Sequence, residues 1–175
     1  MNRALWQNVS HDAVTPKAVV SPTEEVERQA AVLRTGILQR RCDAGLQRIV
    51  EVAACTYYVR AALISIIDRH RQWFAARVGI EPEETPRADS FCLHAIKTPG
   101  EPLVVLDALD DRRFSSNPMV TGAPRIRFYA GVPLLDRAGY PLGALCLIDD
   151  KPRDSAPSLF QLIRLAHEAE RIIAR

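Results

Sequence analysis

The sequence predicts an α+β domain, with one sheet, a helical layer behind it and a long elaborated connection over its front. Three observations predict it. Apolar residues recur at helical spacing near both ends of the chain, while short β-branched runs fill the middle. Two of those runs are apolar on both faces, which calls for a sheet covered on both sides. Between the third and fourth runs, Asp107-Ala-Leu-Asp-Asp-Arg-Arg-Phe114 and then Arg127-Phe-Tyr-Ala-Gly-Val-Pro-Leu134 concentrate charge and aromatic rings beside strand-like segments. Charges beside buried strands are costly unless paired, so this stretch either ties a connection to the sheet or lines a site.

Residues 1–20 show no sustained period and read as a tail, with a single domain over 21–175. Ser21-Pro-Thr-Glu24 has the form of a capping box, with proline suited to the first helical turn. Val26, Ala30, Leu33 and Ile37 follow as a narrow apolar stripe, with Gly36 near the helix end. A second helix starts around Asp43 and puts Leu46, Ile49, Val50 and Ala53 on one face. Ala61–Ile67 and Gln72–Val78 form a strand hairpin, in which Trp73 and Phe74 point to opposite faces. Residues 79–88, with Pro82 and Pro86, form a loop. Asp89 or Ser90 caps a short helix through Lys97. Strands near 103–107, 128–135 and 142–149 complete the sheet, the last two joined at Asp136-Arg-Ala-Gly139. Pro157 opens a final helix with Leu159, Leu162, Ile163, Ala166, Ala169 and Ile173 on one face.

Composition narrows the function classes. A chain of 175 residues suits one domain with a proper core. Its net charge of +2 is too small to argue for nucleic acid or an anionic membrane. No apolar run is long enough to span a bilayer and the polar start lacks a signal-peptide core, so the default location is the cytoplasm. The excess of arginine over lysine hints at a bacterial source. Cys42, Cys55, Cys92 and Cys146 are widely spaced, so neither a disulfide framework nor a zinc knuckle is indicated.

The motifs Ile67-Asp68, Gln72-Trp73-Phe74, Glu84-Thr-Pro-Arg87, Ser90-Phe-Cys92, Asp107-Ala108, Asp111-x-Arg113-Phe114, Phe128-Tyr-Ala-Gly-x-Pro-Leu134 and Gly143-x-Leu-Cys-x-Ile-Asp149 occur in that order. Together they resemble the GAF domain family of small-molecule sensing modules, over roughly residues 23–174. The subgroup is the one often found ahead of histidine-kinase or diguanylate-cyclase domains. The resemblance implies a GAF/PAS-like antiparallel sheet in the order 2-1-5-4-3, with the terminal and second helices on one face. On the other face the short helix and the Asp107–Arg127 connection would form a pocket. The chain stops one helix after the domain, so the expectation is that the domain either acts alone or talks by contact to a separate signalling output protein.

The residues brought to that pocket are Phe91, Cys92, His94, Asp107, Asp111, Arg113, Phe114, Arg127 and Tyr129. An arginine fork suits a carboxylate or phosphate. The bland alternative, and the favoured one, has Arg113 bonded to Asp107 or to loop carbonyls as an anchor; Arg127 carries the same two readings. Cys92 and His94 lie two apart on a helix and so diverge, which argues against a shared metal. Cys92 reads as a buried thiol, His94 as a hydrogen-bonded imidazole and Cys146 as core. No cysteine is in evidence to resolve an oxidised Cys92, and the stretch after Arg113 lacks the cysteine of bilin-binding relatives. The reading is therefore a non-enzymatic regulatory module for an unidentified small molecule, without metal or cofactor. A homodimer is expected through the terminal helices. A structural dimerisation module with an unused pocket is one alternative. A thiol-based redox sensor, or a reductase of free methionine sulfoxide, is the other.

Overall fold

A computed structural model describes residues 15–19, 21–40 and 42–175. Helix α1 spans Pro22–Arg34 and opens as the sequence expects. The Ser21 hydroxyl accepts from the Glu24 amide at 3.2 Å, and the Glu24 carboxylate accepts from the Ser21 amide at 2.8 Å. Gly36, at φ 63°, turns the chain into a 3-10 turn, Ile37–Gln39. Helix α2, Ala44–Tyr57, is capped by the Asp43 carboxylate, which accepts from the amides of Gly45 and Leu46. Of the tail, residues 1–14 and 20 lie outside the described residues. Lys17 docks on the far hairpin, its amide donating to the Gly139 carbonyl at 2.9 Å and its ammonium lying 4.0 Å from the Tyr140 ring centre.

The sheet contains β1 (Ala61–Ile67), β2 (Arg71–Val78), β3 (Glu84–Pro86), β4 (Leu103–Val105), β5 (Phe128–Leu135) and β6 (Pro141–Asp149). Every pairing is antiparallel, in the spatial order β3-β2-β1-β6-β5-β4. The five expected strands keep their expected neighbours. The sixth, β3, forms within the stretch expected to be a loop, where Thr85 and its neighbours pair with Arg71–Trp73. An edge strand of three residues ending in proline carries too little apolar pattern to announce itself. Strand β4 is likewise shorter than expected.

Two apolar clusters flank the sheet. Behind it, α2 buries Leu46, Ile49, Val50 and Ala53, and α5 (Phe160–Ile173) buries Leu162, Ile163, Ala166, Ala169 and Ile173. Helix α5 starts three residues after Pro157, and Leu159 packs partly buried at its cap. Strands β1 and β6 are buried almost throughout, as required between two covered faces. Each fully buried aliphatic side chain here contributes roughly 1.5–3 kcal/mol. In front, Leu63, Ile67, Phe74, Phe91, Cys92, Phe114, Tyr129 and Cys146 belong to the second cluster. Trp73 faces the rear and Phe74 the front, as their adjacent positions on a strand demand.

The expected stripe of α1 is corrected by the structure. Val26 is 70% exposed and Leu33 51%, while Ile37 is fully buried but lies beyond the helix. The buried face of α1 instead carries Arg28, Gln29, Ala31 and Val32. Arg28 is wholly enclosed. Its guanidinium donates to the Glu25 carboxylate at 2.8 and 2.9 Å and to Gln29 Oε1 at 3.0 Å. A polar pair with satisfied partners has displaced the apolar stripe from the inside.

Candidate functional site

The front layer is built from short pieces. A 3-10 turn, Arg87–Asp89, leads into α3, Phe91–Ala95, which the Ser90 hydroxyl caps by accepting from the Leu93 amide at 3.1 Å. The Ser90 hydroxyl also bonds Gln72 on β2, fixing the base of α3 to the sheet. Further on, the connection contains a single turn of helix, α4 (Pro118–Thr121), capped by Asn117. Asn117 also donates to the Asp89 carbonyl at 2.9 Å and so ties the connection to the start of α3.

At the centre, Phe91 and Phe114 stack with ring centres 4.0 Å apart and planes 7° from parallel; Tyr129 lies 5.2 Å from Phe91. Gly131 makes this arrangement possible. Two residues along the same strand face from Tyr129, it presents no side chain, and a Cβ there would collide with the phenol. The tyrosine hydroxyl therefore folds back over the strand and donates to Cys92 Sγ at 3.2 Å. Cys146 Sγ stands 3.6 Å from Cys92 Sγ. All four expected pocket residues Phe91, Cys92, Phe114 and Tyr129 are sealed, at 2% exposure or less.

The polar members sit at the rim. His94 meets the Phe114 ring edge-on at 4.8 Å, and burial, with Lys97 and Arg113 nearby, holds its pKa below the usual histidine value. Arg113 is anchored, but not to Asp107. Its Nε and Nη2 donate to the two Asp111 oxygens at 2.9 and 2.6 Å, and Asp111 Oδ1 also accepts its amide at 2.9 Å. These bonds hold the Asp111 carboxyl below its ordinary pKa. Residues two apart suffice for this fork, so no distant partner is needed. Asp107 serves its own turn, its Oδ1 accepting from the Leu109 amide at 2.9 Å. Arg127 is an anchor too. Its guanidinium donates to the carbonyls of Val120 and Ile126 at 3.1 and 3.0 Å, closing the end of the connection.

The structure thus groups Phe91, Cys92, Phe114 and Tyr129 in a dry aromatic-sulfur centre, with His94 against the Phe114 edge and Arg113 bonded to Asp111 at its rim, while Asp107 and Arg127 bond within the connection itself. Open space lies beside them. A cleft of 290 Å³ runs between the start of α1 and α3, lined by Ser21, Glu25, Arg87, Leu93, Ile96 and Lys97 among others. Two of its lining residues, Glu25 and Arg87, belong to an ion network that the sequence does not announce. Arg87 donates to Glu25 at 2.8 Å, the same carboxylate that holds Arg28. One turn along α1, Gln29 donates to Asp68 at 2.6 Å, and Arg71 joins Asp68 to Glu84. Burial opposes ionisation of Glu25, yet Arg28 and Arg87 outweigh it and depress its pKa. The pair Glu25 and Arg87 is 62 residues apart, beyond the reach of any local spacing rule.

A second correction concerns sulfur. Cys146 is core, as expected, but it also lies in contact with Cys92, so a partner for that thiol exists. No group of three or more potential metal ligands occurs among the described residues. Nor does any of their helices have the length and apolarity to cross a membrane.

Comparisons with known proteins agree with this architecture. A cyclic di-GMP phosphodiesterase of Pseudomonas aeruginosa is 44% identical over 154 residues, which are 88% of this chain and 26% of that protein. The chain thus spans about a quarter of that relative's length. The GAF domain of an Acinetobacter phosphoenolpyruvate-protein phosphotransferase superposes with a TM-score of 0.61 at 19% identity, covering 89% of this chain and 95% of that one. The free methionine-R-sulfoxide reductase of Neisseria meningitidis, in complex with its substrate, gives 0.60 at 16% identity, covering 93% and 98%. A domain from a two-component sensor histidine kinase of Sinorhizobium meliloti gives 0.57 at 19% identity, covering 77% and 91%. Likeness at such identities speaks for the fold alone. The GAF domain pattern matches residues 23–170, and the chain belongs to the GAF domain family.

Proposed function

We propose that this domain is a non-enzymatic regulatory module of the cytoplasm that binds a small molecule at its front layer and reports occupancy through α1 and α5. The observation that carries this reading is the Glu25–Arg87 pair. It joins the rear helix α1 to the turn that launches α3, so a movement of the front layer on binding pulls directly on a terminal helix. A ligand that orders the front layer differently shifts the balance between two arrangements of α1. The rim residues His94, Asp111 and Arg113 offer polar contacts, and the aromatic stack offers a face to a planar group once the layer parts.

The kinship with the Pseudomonas aeruginosa phosphodiesterase supports cyclic di-GMP turnover as the output served, in the same chain or in a partner. The outward Val26 and Leu33 support a homodimer through α1. A thermal-shift screen with nucleotides, amino acids and organic acids tests the reading. One chemical class raises the melting temperature, by the equivalent of about 2.7 kcal/mol at a hundred times its Kd. No rise with any of them, in a protein that still dimerises, would favour the structural module instead. The Cys92–Cys146 contact favours thiol chemistry as a second reading. Turnover of free methionine sulfoxide that vanishes in Cys92→Ser would move the protein into the reductase class.

A further inference from the structure

We propose that Cys92 and Cys146 are a peroxide-oxidisable dithiol that closes to an intrachain disulfide, pinning α3 to the centre of the sheet. The proposal does not rest on ligand binding. It begins from position. The two residues are 54 apart in sequence, one on a five-residue helix and the other on β6, and their sulfurs stand 3.6 Å apart with both side chains buried. A disulfide needs about 2.05 Å. Cys146 cannot supply much of that movement, because its strand is paired on both sides, with Leu63 of β1 and Gly131 of β5. Cys92 can supply it, since α3 is a short segment lying over the sheet.

The surroundings distinguish the two sulfurs. The Tyr129 hydroxyl donates to Cys92 and to no other acceptor among the described hydrogen bonds. The hydroxyl of Ser65, buried on β1, has no hydrogen-bond partner of ordinary geometry among the described residues, yet lies near enough to Cys92 to favour its thiolate. Burial opposes ionisation at Cys92, but Cys146, Ser65 and Tyr129 together outweigh it and lower its pKa. The pKa of Cys146 is raised by its contact with Cys92 and by burial. The Tyr129 hydrogen bond and the position on the short α3 make Cys92 the nucleophile, and Cys146, on a strand paired on both sides, is the resolving thiol.

The chemistry balances with hydrogen peroxide as the oxidant. When the front layer opens, the Cys92 thiolate attacks one peroxide oxygen; the O–O bond breaks, a sulfenic acid forms, and the departing hydroxide takes a proton to leave as water. Cys146 sulfur then attacks Cys92 sulfur. The S–O bond breaks, the S–S bond forms, and the released hydroxide leaves with the Cys146 proton as a second water. Two thiols lose two electrons and peroxide gains them.

The test uses the full chain carrying Cys42→Ser and Cys55→Ser, which removes the exposed thiols and leaves only the buried pair. After peroxide and quenching, the protein is unfolded in iodoacetamide and its mass and peptides are measured. The expected result is concerted loss of both alkylatable thiols, a Cys92–Cys146 linked peptide, and full return of both thiols with dithiothreitol. With Cys146→Ser added, oxidation stops at a Cys92 sulfenic acid that dimedone traps. With Cys92→Ser added instead, Cys146 reacts at least tenfold more slowly. The proposal is overturned if both thiols stay alkylatable under peroxide that oxidises the unfolded chain. It is equally overturned if Cys92 proceeds to sulfinic acid while Cys146 remains free.

Discussion

The two faces of the sheet are packed by different rules. Behind it, long helices bury aliphatic rows, and substitution there acts on the whole fold. In front, two short helices and several turns cover an aromatic-sulfur centre, each held by a few side-chain bonds such as Ser90 with Gln72 and Asn117 with Asp89. The rear layer is a scaffold, and the front layer is a cover whose local opening is separable from global unfolding. One ion network at the sheet edge, centred on Glu25, joins them.

The largest effects should come from the two cores, and they should differ in kind. Leu145→Ala in the rear cluster should cost about 2–5 kcal/mol and Phe114→Ala in front about 3–5 kcal/mol by urea unfolding. Only Phe114→Ala should also speed alkylation of Cys92 in native buffer. Equal thiol protection in the two variants would erase the distinction between scaffold and cover.

Next come the two arginine forks, one on each side. Arg28 is fully enclosed, and Arg28→Ala removes three charge-assisted hydrogen bonds but leaves Glu25 half-buried with Arg87 as its remaining cation; a loss of about 1.5–3 kcal/mol is expected. Arg113 is 48% exposed and its partner is two residues away, so Arg113→Ala should cost under about 1 kcal/mol. Thermal melts of the two variants decide this, and a larger loss for Arg113 would show that the rim carries the front layer.

The smallest stability effect belongs to the outward stripe. Leu33→Glu should change folding stability by no more than about 0.5 kcal/mol while weakening self-association seen by sedimentation. A monomeric parent protein, or a dimer indifferent to the substitution, would take α1 out of the interface.

The same division explains what the sequence made legible. The capping box at Ser21, the start of α2 near Asp43, the alternation of Trp73 and Phe74, and the apolar rows of α2 and α5 depend on neighbours within a few residues. Such features are legible. The face of α1 is not, because apolar periodicity selects Val26 and Leu33, whereas the buried side holds Arg28 and Gln29 with partners that only the fold supplies. The motifs point to the front residues but not to their partners. Arg113 finds Asp111 rather than Asp107, and Cys92 finds Cys146 across 54 positions. A contact between single side chains leaves no period to read, whether its partner is two residues away or 54.

Gly131 has a consequence of another sort. Because the bare glycine lets the Tyr129 phenol lie over the strand and cap the sulfurs, no reagent reaches Cys92 without first lifting that ring or α3. The thiol is therefore a chronometer for the front layer. When reagent is scarce, its labelling rate scales with the fraction of time the cover stands open; when reagent is abundant, the rate saturates at the frequency of opening itself. A single cysteine can thus report both the population and the tempo of a motion, and any molecule that holds the cover shut would be detected by the slowing of that clock.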